Sequence, residues 1–95
     1  MPGMSMRQPK ASNAEIKAFT DANMKMHRAM SAKLTGNADR DFVQGMIPHH
    51  QGAIDMARVE LRYGTDPELR KLAGDIISAQ EKEIAFMRQW QQSHH

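Results

Sequence analysis

The stretch MIPHHQGAIDM, Met46 to Met56, sets two adjacent histidines between two methionines, with a proline just ahead of the pair. Imidazole and thioether together select soft ions, above all Cu(I) and its congener Ag(I). Thioethers serve Zn(II), Mg(II) and Ca(II) poorly, because those ions take harder donors. On a helix, Met46 and His49 stand three apart, and Met46 and His50 four apart. Each pair can therefore meet on one face. Met26 with Met30, and His27 with Met30, repeat the relation, and Met56 and Met87 add two more thioethers. The candidate ligands are His49, His50, Met46, His27, Met30, Met26, Met56 and Met87. A di-iron carboxylate centre needs several Glu with Glu-x-x-His pairs; this chain offers Met-x-x-His instead.

The chain has nine methionines against three phenylalanines, one tyrosine and one tryptophan. Methionine also serves as a flexible core filler, but that role does not account for Met4 and Met6 in a polar N-terminal stretch. An inward histidine is often a hydrogen-bonded core residue, so the same pattern also fits a structural or partner-binding helical module with no metal role. A metal-dependent enzyme is a third class. No serine or threonine sits in an evident triad and no phosphate loop exists, so the expectation is a binding protein rather than an enzyme. His94 and His95 read as a solvated tail, and Arg58, Arg62, Arg70 and Arg88 as a solvated outer face.

These donors need elements to hold them. Residues 1–11 contain Pro2, Gly3 and Pro9 without periodicity and read as an arm. SNAE, from Ser12 to Glu15, fits a capping box that opens a helix. Ile16, Phe19, Asn23, Met26, His27, Met30 and Leu34 then fall on one face, which predicts a helix to about Leu34. TGNAD is a turn with Gly36 as the helix stop. A second helix should run from about Asp39 to Tyr63, closed by Gly64. Its inner face joins Phe42, Met46, His49, Ala53 and Met56 to Val43, Ile47, His50, Ile54, Ala57 and Leu61, so both histidines should point inward. Pro48 should kink it.

TDPE opens a third helix, capped by Thr65 or Asp66, with Pro67 in its first turn. It should reach about Gln91. Its seam includes Leu69, Leu72, Ala73, Ile76, Met87 and Trp90, but also Gln80 and Glu83. Polar seam residues need partners, and the inward histidines of the second helix are the simplest ones. Glu83 would orient an imidazole, or ligate directly. The fold class is all-α, with three antiparallel helices forming hairpins of a bundle. The organisation is an arm at 1–11, one helical domain at 12–92 and a tail at 93–95.

Ninety-five residues make one small domain with a marginal core. Pairing with a second copy would enlarge it. No cysteine is present, so disulfides and thiolate sites are excluded. The formal charge of +2 is scattered, against the clustered basic face that nucleic-acid binding wants. No stretch approaches a membrane span.

DFVQGMIPHHQGAIDMA, followed by DPELRKLAGDIISAQEKEIAFMRQW, closely resembles the bacterial domain-of-unknown-function family 305. The resemblance covers about residues 20–91, including MHRAM in the first helix. It implies a ferritin-like helical fold. It also implies an exported protein, periplasmic or secreted, although MPGMSMRQPK lacks the apolar core of a secretory signal. Some members are implicated in copper or silver binding and resistance. Many relatives carry two such units; one unit here favours a homodimer. The expected function is Cu(I) or Ag(I) binding, for sequestration, tolerance or transfer.

Overall fold

A computed structural model describes residues 13–94. It contains three helices: α1 (Asn13–Met30), α2 (Ala38–Tyr63) and α3 (Pro67–Ser93). The all-α class is as expected. The arm at 1–11 and the Ser12 cap lie outside the described residues.

Local chemistry explains most boundaries. Asn37 caps α2 by accepting from the Arg40 N–H at 3.1 Å. Asp41, in the first turn, reaches back over the preceding turn. Its carboxylate accepts from the Thr35 N–H and Oγ1, both at 2.8 Å, and from the Gly36 N–H at 3.0 Å. The Thr35 contacts, the backbone one first, hold the Asp41 carboxyl below the usual range. Gly36 takes φ of 91°, a left-handed conformation that glycine adopts freely. The other turn is tied differently. Asp66 caps α3 through the Leu69 N–H at 2.9 Å, ahead of Pro67. Arg70 Nη1 donates to the Leu61 carbonyl at 2.6 Å and the Gly64 carbonyl at 3.1 Å. Arg70 is exposed, as are Arg58, Arg62 and Arg88 on the expected solvated face, and it also ties down the last turn of α2.

The first helix stops at Met30, short of the expected Leu34. The Ser31 Oγ and N–H both turn back to the Arg28 carbonyl. Leu34 lies in the turn, 76 % exposed. Helix α2 continues through Pro48, although that residue offers no N–H to the Gln44 carbonyl.

Helix α2 is central. It packs against α1 and α3, which do not pack on each other. The α3 side holds the main core: Val43, Ile54, Ile84 and Met87, with Met46, Ile47, Ile77 and Trp90 against it. The α1 side rests on Ala22, on Met26 laid across Gly52, and on Lys25 paired with Asp55 at 3.5 Å. His50 faces α3 and Gly52 faces α1. At about 100° per residue these directions are nearly opposite. The three helices therefore form one layer, 55 × 26 × 20 Å overall.

A single layer has two faces, and one of them is apolar. Ile16, Phe42, Met56, Leu69, Leu72 and Phe86 are all exposed. Periodicity places most of these inward, and on this point the structure corrects the sequence. So it does for Asn23, His27, Met30 and His49, which are also exposed.

Candidate metal centre

Near the Phe42 end of the layer, a groove of about 380 Å³ separates α2 from α3. It is lined by Phe42, Met46, His50, Glu83, Phe86 and Met87, with Lys82 at its rim. His50 is the one buried polar residue among those described, 9 % exposed. Its Nε2 lies 2.5 Å from Glu83 Oε1. Placing the proton on Nε2 lets the ring donate to the carboxylate, which leaves a lone pair on Nδ1. Nδ1 is buried and has no hydrogen-bond partner. The expected Glu83 partnership is therefore present for His50. Gln80 does not share it, and its buried Oε1 has no partner.

Among the described residues no three His, Asp or Glu side chains converge. The further donors in this groove are thus thioethers, Met46 four residues before His50 and Met87 four after Glu83. A histidine that gives one N–H to a carboxylate and keeps the other nitrogen free is the usual arrangement of a ligating imidazole. The groove pairs that arrangement with soft donors.

A family model described as Domain of unknown function (DUF305) matches residues 2–91. The chain belongs to this family. It is also 44 % identical over 49 residues to an uncharacterized protein of Acanthamoeba polyphaga mimivirus. That stretch is 52 % of this chain and 32 % of the viral protein, so the chain spans about a third of that relative's length.

Within this DUF305 chain the other candidates are spread out. His49 is exposed, its ring edge-on to His50 with centroids 6.4 Å apart. Consecutive residues on a helix sit about 100° apart, so one imidazole enters the core and the other looks out of the open face. Met56 lies in a second groove with Phe19, Ala53, Leu69, Leu72 and Ile76. Met26 is held over Gly52 on the α1 side of α2. His27 and Met30 are exposed on α1. One chain therefore gathers Met46, His50, Glu83 and Met87, with His49 beside them, and leaves the rest apart.

Phe86 and Lys82 were not singled out in the sequence. Phe86 precedes Met87, and the i, i+3 relation to Glu83 was the available signal. Asp55 was also missed. It accepts from Gln51 at 3.1 Å and pairs with Lys25, which anchors α1.

Proposed function

We propose that this DUF305 protein binds a soft monovalent metal, Cu(I) or Ag(I), through histidine and methionine, for sequestration, tolerance or transfer. Copper or silver is here the cargo of a binding protein rather than the cofactor of an enzyme. The observation that carries the reading is the buried His50 ring, with Nε2 on Glu83 and a buried, unpartnered Nδ1, in a residue that lines a groove together with Met46 and Met87. An unpaired buried nitrogen costs stability, and a bound metal relieves that cost. His49, His27, Met30, Met26 and Met56 are further ligand candidates that a single layer does not bring to this groove. The family resemblance supports an exported, periplasmic or secreted setting and a homodimeric assembly. No helix among the described residues is long and apolar enough to cross a membrane.

A second reading takes the chain as a partner-binding module in which His50 and Glu83 only satisfy the core. The open apolar face favours it. Titration of Cu(I) under reducing conditions, against a competing chelator, separates the two. Wild type should bind Cu(I) far more tightly than Zn(II), and a His49→Ala, His50→Ala variant of equal helicity should lose that affinity. Equal affinity and stoichiometry in both proteins would refute the metal reading.

A further inference from the structure

We propose that the apolar face of the layer is the contact surface for a second copy of the chain, and that the soft-metal site is completed across that contact. The second half of this statement rests on the metal reading above; the first half does not.

Area is the first argument. Phe42 and Phe86 are 63 % and 69 % exposed. Ile16, Leu69 and Leu72 expose about half their surface and Met56 39 %. With aromatic side chains of 150–250 Å², the face presents on the order of 500 Å² of apolar surface. That is the upper range for a monomer patch, and a polar rim brings it near the ~800 Å² per partner of a standard interface. Two such layers face to face enclose a core of helices on both sides, the arrangement a lone layer lacks.

Self-complementarity is the second argument. Lys82 borders the groove at the Phe86 end, and Glu60 borders the groove at the Leu69 end. A twofold axis across the middle of the face exchanges the two ends. It carries the Lys82 cation of each copy into the half of the partner's face that holds Glu60.

The donor set is the third. Met46 and Met56 are ten residues apart, roughly 15 Å along α2, too far for one ion within one chain. A twofold axis at the level of Ala53 moves Met56 to the level of residue 50, three residues on the other side. The partner's Met56 then faces His49 and Glu83. The exposure of His49 and Met56, which a single chain leaves unexplained, is what a shared site requires.

The test uses the full chain. Sedimentation velocity at about 100 µM protomer, in chelator, should show a dimer, because dimer stability depends on concentration. Phe86→Glu should give a monomer of unchanged helicity, and Leu72→Arg, at the far end of the face, provides a second disrupting variant should the first lose helix. Met56→Ala should stay dimeric yet bind Cu(I) at least about tenfold more weakly. A wild-type monomer at this concentration overturns the inference, and the face then belongs to the chain's own first residues or to another protein. A dimer in which Met56→Ala binds Cu(I) as wild type does overturns the shared site. A metal-free dimer that takes up no Cu(I) upholds the contact surface and overturns both the shared site and the metal reading.

Discussion

Two grooves open on the same face of this layer, and they differ in one respect. Both are floored by α2 and lined by exposed apolar side chains, Phe42 and Phe86 in one, Leu69 and Leu72 in the other. Only the first contains a buried imidazole hydrogen-bonded to a carboxylate. Apolar area alone is non-directional and asks only to be covered. The His50–Glu83 pair adds direction, because a half-satisfied buried polar group is costly unless something completes it. The comparison separates surface that docks from surface that also does chemistry.

The largest expected effect tests whether the grooves are open or closed in solution. Ile54 is 2 % exposed, one turn from His50. Ile54→Ala should cost about 2–5 kcal/mol by cavity formation. Leu72→Ala, in the second groove, should cost less than about 0.5 kcal/mol if that groove faces water. Urea unfolding of both variants reads the difference. A cost at Leu72 approaching that at Ile54 shows the face covered.

Next comes the carboxylate. Glu83→Leu leaves the His50 Nε2–H unpaired, and should cost roughly 1–3 kcal/mol. It should also lower Cu(I) affinity about 10–100-fold, as loss of a carboxylate behind a ligating histidine does. Glu60→Leu, the matching change in the second groove, should leave affinity within a few-fold. Competition titration checks both, and ring ¹⁵N shifts of His50 report the lost partner. Unchanged shifts in Glu83→Leu would show that the pair does not exist in solution.

What could be read from sequence follows from the same distinction. The Gly64 stop and the start of α3 at Asp66 and Pro67 were legible, because caps are local chemistry. The His50–Glu83 contact was legible because an inward imidazole needs a partner, although Glu83, read as a seam residue, keeps 59 % of its side chain exposed. The end of α1 was not, since Leu34 continues the helical spacing after the chain has turned at Ser31. Nor was the exposure of His49, Phe42 and Met56. Periodicity reports which residues avoid water, not which molecule covers them, and a face meant for a second surface reads the same as a core. The layer itself was hidden for that reason.

A smaller effect separates the two sides of α2. A Cβ at Gly52 would run into the Met26 side chain, whereas nothing lies within 4 Å of one at Gly45. Gly45→Ala should stabilise by up to about 1 kcal/mol through helix propensity. Gly52→Ala loses that gain to overpacking, typically 1–3 kcal/mol, for a net cost near 1 kcal/mol. The damage should be confined to α1 docking and spare the α2–α3 groove. Hydrogen exchange by residue distinguishes local from global loosening.

The smallest effect concerns the two turns. The α2–α3 turn is tied by Arg70, whose guanidinium keeps its charge at any relevant pH. The α1–α2 turn is tied by Asp41, whose carboxyl is held low by the Thr35 N–H and hydroxyl and by the Gly36 N–H. Because the folded value lies below the unfolded one, near 3.9, the contribution is present above the unfolded value. It is lost as pH falls through the folded value. The pair is exposed, so the loss is slight. In acid, α1 should therefore loosen from α2 before α3 does. Asp41→Asn should weaken the α1–α2 turn at neutral pH and remove its share of the acid dependence. Amide exchange across residues 13–36, compared between pH 6 and pH 3.5 in both proteins, checks this. An equal acid response in wild type and Asp41→Asn assigns the acid sensitivity to another carboxylate.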